Sequence, residues 1–239
     1  MGGTEKKMGA LEKKIYILHG WTTDITRWDP FLAELKKLKI TPILLPIPGL
    51  TAPLDRPWNI DDYVQWLYEI VNKEPKIALL GHSNGGRIAL SFAIKYPEEI
   101  NQLFLLDSAG IYHNDFISRT KRNAFRTISK FGKKFTNSSS AKNLLYKLAQ
   151  ESDYKNANLI QQETMKKLVA VDLLPKLSEI KTQTYIIWGK NDQVTPYTDA
   201  LILKSGIQNS KLFTIPEGTH SPQFTHTSEV VNIIKENLV

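Results

Sequence analysis

The chain has 239 residues, 41% of them hydrophobic and 23% charged, the proportions of a globular protein of one domain with room for an insertion. It contains no cysteine, which excludes disulfides, thiolate metal sites and a cysteine nucleophile. The net charge of +7 brings nucleic acid and acidic membrane surfaces into consideration, while no apolar run approaches the ~20 residues of a membrane span.

The first residues, "MGGTEKKMGALEKK", lack the apolar core of a signal peptide, so the cytoplasm is the expected location. Residues 1–13 are expected to be a flexible leader. "KIYILHG" then reads as a buried strand ending in glycine. "RWDPFLAELKKLK" follows as a helix with Phe31, Leu32, Leu35 and Leu38 on one face. "ITPILLPIPG" is a second strand, stopped by prolines. "NIDDYVQWLYEIVNKE" is a helix that Asp61 or Asp62 could cap. "KIALLG" is a third strand, "GGRIALSFAIKYP" a helix closed by Pro97, and "INQLFLLD" a fourth strand. After a long interruption come strands "TQTYIIWG" and "KLFTIP", with a helix over Thr198–Lys204 between them, and the terminal helix "EVVNIIKENL". Strands alternating with helices predict an α/β fold: a mostly parallel sheet of about six strands, covered on both faces. In such sheets functional groups gather at the carboxyl ends of the strands.

The interruption, from Ile111 to about Val171, carries helical patterns only. Its first helix places Ile117, Ala124, Ile128, Phe131 and Phe135 at helical spacing. The organisation that follows is a core of residues 14–110 and 172–239 with a helical insertion of residues 111–171. This insertion is expected to lie over the sheet's carboxyl edge and open an apolar pocket there.

"GHSNG", Gly81–Gly85, falls where strand "KIALL" turns into helix "GGRIAL". A sharp strand–turn–helix lifts the Ser83 hydroxyl clear of the sheet, and flanking glycines let neighbouring backbone pass closely. A serine hydroxyl is a poor nucleophile and needs a histidine base held by a carboxylate. Asp192, in "WGKNDQVTP", and His220, in "TIPEGTHSP", each follow a later strand and so reach the same sheet edge. The serine also needs backbone N–H donors for the oxyanion that forms. Those of Trp21, after His19-Gly20, and of Asn84 are placed to serve.

Two competitors remain. His226 also follows the last strand, and Asp107 also ends one; Asp107 could instead cap the next turn, and Asp192 could brace its own loop. His19 is expected to brace the oxyanion turn, His82 to point away from the mouth of the elbow, and His113 to lie on the surface.

Taken in order, "HGW", "GHSNGG", "WGKNDQVTP" and "EGTHSP" resemble the α/β-hydrolase family, over the chain from about Lys14 to its end. The resemblance implies Ser83 as nucleophile, His220 as base, Asp192 as the acid that orients it, and the Trp21 and Asn84 N–H groups as the oxyanion hole. It makes the insertion a cap, with Trp21 lining the substrate pocket. Members with aspartate at the elbow are epoxide hydrolases and dehalogenases, and the serine speaks against those chemistries. The family usually opens with an antiparallel hairpin. Too few residues precede the first strand here, so the sheet is expected to be shortened and wholly parallel.

The implied activity is hydrolysis of an ester or thioester of a small or medium, largely apolar acyl group, with no cofactor and no metal. The same residues could cleave a carbon–carbon bond beside a ketone, or survive in a receptor-like binder that turns over little. Between Ile111 and Ala170 stand twelve Lys and Arg against four acids. They read as a solvated outer face or as a surface attracting an anionic substrate or lipid. No nucleic acid is expected, because no reader motif accompanies the charge.

Overall fold

The computed structural model describes residues 13–112 and 157–239. The strands are β1 (Lys13–Leu18), β2 (Ile40–Leu44), β3 (Ile77–His82), β4 (Ile100–Leu106), β5 (Gln183–Gly189) and β6 (Ser210–Ile215). The helices are α1 (Asp29–Lys37), α2 (Ile60–Val71), α3 (Asn84–Lys95), α4 (Leu159–Val169), α5 (Tyr197–Gly206), the short α6 (Pro222–Thr225) and α7 (Thr227–Asn237). Among the described residues these six strands form one sheet in the order β2-β1-β3-β4-β5-β6, and every pairing in it is parallel. A mostly parallel sheet of about six strands is what the chain pattern predicts. Pro42 sits in β2, an edge strand, where a missing N–H costs no ladder bond.

The strands read as continuous apolar runs because both sheet faces are covered. Ile15, Ile17, Leu80, Phe104 and Ile187 pack on one face with Phe31 and Leu35 of α1 and Val230 and Ile234 of α7. The alternate residues Leu18, Leu79, Leu103, Leu105, Ile186 and Trp188 pack on the other. There they meet Val64 and Leu67 of α2, Ile88 and Phe92 of α3, and Leu203 of α5. The helices after β1 and β3 therefore leave on opposite faces. Their connecting turns diverge at the carboxyl ends of neighbouring strands, which opens a crevice between them.

Some local expectations need correction. The α2 cap is Asn59, whose side chain accepts from the N–H groups of Asp61 and Asp62; Asp62 closes the box by accepting from the Asn59 N–H. Asparagine satisfies the first-turn donors from outside the helix, whereas the aspartates already lie inside it. The leader was expected to run through Lys13, but Lys13 opens β1 and its Nζ donates to the Leu238 carbonyl at 2.5 Å. The rest of that segment lies outside the described residues.

Of the insertion, the described residues hold Ile111, Tyr112 and the stretch from Ala157, including α4. A capping box of Asn158 and Gln161 starts α4. The helix lies on the loop that leaves the carboxyl end of β2: Gln161 Nε2 donates to the Gly49 carbonyl at 2.7 Å, and the Trp58 N–H donates to Thr164 Oγ1 at 3.2 Å. Leu168, a residue of the same helix, is fully buried. The first insertion helix, with Ile117, Ile128 and Phe131, and the surface position of His113 lie outside the described residues, as does most of the basic face. Of that face, Lys166 pairs with Glu163 at 2.5 Å and Lys167 Nζ donates to the Pro57 carbonyl at 2.9 Å.

Candidate active site

The β3–α3 turn is built by exclusion. Ser83 holds φ 53°, ψ −119°, a conformation that side-chain-bearing residues rarely adopt. The turn tolerates it because the Ser83 N–H donates to the Leu106 carbonyl at 3.1 Å and the Ser83 carbonyl accepts from Ala109 N–H at 2.9 Å. Gly85 is required because a Cβ there would strike the carbonyls of Leu18 and His19. That close approach brings the end of β1 against the start of α3. Gly20 follows, and a Cβ on it would lie 3.1 Å from Ser83 Cβ and 3.0 Å from His82 Nδ1. The turn carrying Trp21 is thus pressed against Ser83. The Asn84 N–H begins α3 and has no acceptor within the helix.

Three loops converge here. His220 Nε2 lies 2.9 Å from Ser83 Oγ, and His220 Nδ1 lies 2.8 Å from Asp192 Oδ2. A carboxylate only accepts, so Nδ1 carries the proton and Nε2 is free to take one from the hydroxyl. The Asp192 side chain is fully buried, while the His220 side chain is 21% exposed. Burial works to raise the Asp192 pKa, but bonds from His220, Thr195 and the Val194 N–H outweigh it and hold the carboxyl below its ordinary value. Its Oδ1 also accepts from Val194 and Thr195 N–H at 2.7 and 3.1 Å, so the same residue braces its own loop.

The competitors stand elsewhere. His226 Nδ1 meets its neighbour Thr225 Oγ1 at 2.9 Å. Asp107 caps no following turn; its Oδ1 accepts from Gly189 N–H at 2.9 Å, and its Oδ2 is buried without a partner. Burial, aided by the charge of Asp192, pushes the Asp107 carboxyl well above its ordinary range. His19 braces the turn that carries Trp21: Nδ1 donates to the Gly20 carbonyl at 2.7 Å, and Nε2 accepts from Thr51 Oγ1 at 3.0 Å. That hydroxyl accepts in turn from Ile47 N–H at 2.9 Å. Burial lowers the His19 pKa to about 4.

Two contributors have no role in the sequence reading. His82, 6% exposed, faces the backbone of His220, with Nε2 2.8 Å from that carbonyl. Thr195 Oγ1 donates to Asp192 Oδ2 at 2.7 Å and lies 3.2 Å from His220 Nδ1. The position of His82 beside Ser83 was a usable signal; Thr195 had none, since hydroxyls are common in loops. Among the described residues no group of three or more His, Asp or Glu is arranged to hold a metal ion.

Residues 15–227 match the family model described as the alpha/beta hydrolase fold.

The chain is an α/β-hydrolase.

Among curated α/β-hydrolase relatives, it is 25% identical over 238 residues to the pimeloyl-[acyl-carrier protein] methyl ester esterase of Shewanella woodyi, covering 91% of this chain and 90% of that protein. It is 26% identical over 243 residues to the 2-hydroxy-6-oxononadienedioate/2-hydroxy-6-oxononatrienedioate hydrolase of Escherichia coli K12, covering 91% and 84%. The fold also matches solved structures. One is the enol-lactonase from Burkholderia xenovorans, with TM-score 0.72, 15% identity and coverage of 96% and 92%. Another is a meta-cleavage product hydrolase from Pseudomonas fluorescens, with TM-score 0.64, 18% identity and coverage of 94% and 89%. No helix among this hydrolase's described residues is long and apolar enough to cross a membrane.

Proposed function

We propose that this α/β-hydrolase is a serine hydrolase that cleaves a carboxylic ester or thioester of a small or medium, largely apolar acyl group. The observation that carries the reading is the hydrogen-bonded line Ser83–His220–Asp192, at 2.9 and 2.8 Å. Ser83 Oγ attacks the carbonyl carbon while its proton passes to His220 Nε2. The carbonyl electrons move onto oxygen, which sits on the N–H groups of Trp21 and Asn84. Collapse of this intermediate breaks the bond to the leaving alcohol or thiol, which takes the proton from His220. Water then repeats the sequence and frees the acid. Asp192 holds the imidazole in one tautomer and stabilises its charged form. Residues 111–171 serve as the cap, with Trp21 beside the acyl group, and their basic residues form a solvated outer face or one that attracts an anionic substrate or lipid surface.

A second reading has a specific support. The relative of comparable identity from Escherichia coli is named for hydrolysis of a 6-oxo dioate, so the same residues could cleave a carbon–carbon bond next to a ketone. A p-nitrophenyl ester series, run with fluorophosphonate labelling of the parent and of Ser83→Ala, tests the proposal. Turnover and labelling that both vanish in the variant support it. Labelling without ester turnover moves the weight to the carbon–carbon reading, and labelling that persists in Ser83→Ala overturns the assignment.

A further inference from the structure

Thr195 stands three residues after Asp192, in the loop that follows β5, and is only 8% exposed. Its backbone is held on both sides. The Thr195 N–H donates to Asp192 Oδ1 at 3.1 Å, and its carbonyl accepts from the indole N–H of Trp188, a fully buried residue of β5, at 3.0 Å. Pro196 follows and narrows the conformations open to Thr195, and a branched side chain is stiff at χ1. The hydroxyl is therefore delivered to one place. There Oγ1 lies 2.7 Å from Asp192 Oδ2, 3.1 Å from the Asp107 carbonyl oxygen and 3.2 Å from His220 Nδ1.

A hydroxyl has one proton and two lone pairs. Both oxygens can only accept, and the carboxylate is the nearer and the charged one, so the proton goes to Asp192 Oδ2. His220 Nδ1 gives its own proton to the same Oδ2, 2.8 Å away, which leaves a lone pair of Thr195 Oγ1 to face Nδ1. Oδ2 thus receives a proton from each neighbour, while Oδ1 receives the N–H groups of Val194 and Thr195 at 2.7 and 3.1 Å. These donors fill the acceptor sites of a carboxylate whose side chain is fully buried. It cannot turn its plane away from the imidazole without giving up a bond.

We propose that Thr195 is a positioning residue for the reaction: its hydroxyl clamps Asp192 Oδ2 against His220 Nδ1 and so fixes the imidazole whose Nε2 meets Ser83. This role rests on the Ser83–His220–Asp192 assignment and adds a fourth side chain to it. Thr195 meets the ring at Nδ1, whereas Ser83 meets it at Nε2, so the clamp acts on the rate and not on substrate binding.

The test pairs Thr195→Val, which keeps the shape and removes the hydroxyl, with Thr195→Ser, which keeps the hydroxyl. In Thr195→Val, kcat on a p-nitrophenyl ester and the rate of fluorophosphonate labelling should fall about ten- to a hundredfold, with KM within about twofold of the parent. Thr195→Ser should return to within about threefold of the parent rate. In an Asp192→Asn background, Thr195→Val should cost less than about threefold more, because the carboxylate it acts through is gone. An equal loss in both backgrounds is what a merely structural threonine gives, and it overturns the proposal. So does a folded Thr195→Val with the parent kcat. If Thr195→Val fails to fold, the proton NMR spectrum of the parent decides. A slowly exchanging Thr195 hydroxyl proton with a cross-peak to the His220 Nδ1 proton supports the clamp, and its absence overturns it. The same spectrum separates the two proposals. If no ester turns over and no fluorophosphonate labels the parent while that cross-peak is present, the hydrolase reading fails and the clamp on Asp192 and His220 stands.

Discussion

His82 Nε2 donates a hydrogen bond to the backbone carbonyl of His220, 2.8 Å away. A carbonyl can only accept, so this bond defines the His82 tautomer, and it ties the end of β3 to the loop that carries the proposed base. Replacing His82 with Leu should leave the loop free to shift. A lost buried hydrogen bond is worth about 1–3 kcal/mol, so kcat should fall roughly ten- to a hundredfold while KM changes little. His82→Gln, which can present its Nε2 at a similar reach, should recover part of the loss. Steady-state kinetics on both variants, with melting curves to confirm folding, check this.

Acid should loosen the protein through its buried imidazoles. Burial lowers the His82 pKa to about 3 and the His19 pKa to about 4. Both values lie below those of the unfolded chain, so the unfolded state binds more protons across that interval. Stability is therefore full above about pH 6.5 and is lost as pH falls toward 4, each displaced pKa unit corresponding to about 1.4 kcal/mol. Urea midpoints measured from pH 8 to pH 4 should decline, and less steeply in His19→Gln than in the parent.

The two aspartates should respond oppositely to the same change. Asp192→Asn removes the acceptor that holds Nδ1 protonated and should cost about 10³–10⁴-fold in kcat. Asp107→Asn keeps an oxygen for the Gly189 N–H and should leave kcat within a few-fold. Since the Asp107 pKa is raised in the folded state, the native protein binds more protons than the unfolded chain above the ordinary carboxyl range. Stability is lost as pH rises through that window, and Asp107→Asn should be the more stable protein at neutral pH. A variant of Asp107 that loses activity as Asp192→Asn does would reverse the assignment.

Lys39 offers a check on stability alone. It follows α1 with φ 60°, a left-handed conformation that a side chain disfavours. Its N–H closes the helix end on the Lys36 carbonyl at 2.9 Å. Lys39→Gly should stabilise the fold by about 1 kcal/mol without altering kcat, read from paired denaturation curves and rates.

Much of this protein was legible in the chain itself. The alternation of "KIYIL", "KIALL" and "LFLL" with amphipathic helices determines a parallel sheet, because runs apolar on both sides must be covered on both sides. The glycines around Ser83 determine a turn that only strand–helix crowding requires: Gly85 faces backbone carbonyls, which no side chain can move aside. The order of Ser83, Asp192 and His220 follows from strand ends, which bring distant residues to one edge. Tertiary structure alone decided among equals. Asp107 and Asp192 both end strands, and only the packed loops turn the first onto the Gly189 N–H and the second onto His220. His82 joined the site because a hydrogen bond is short and directional. Residues 138 positions apart can share one only when the fold has fixed both backbones.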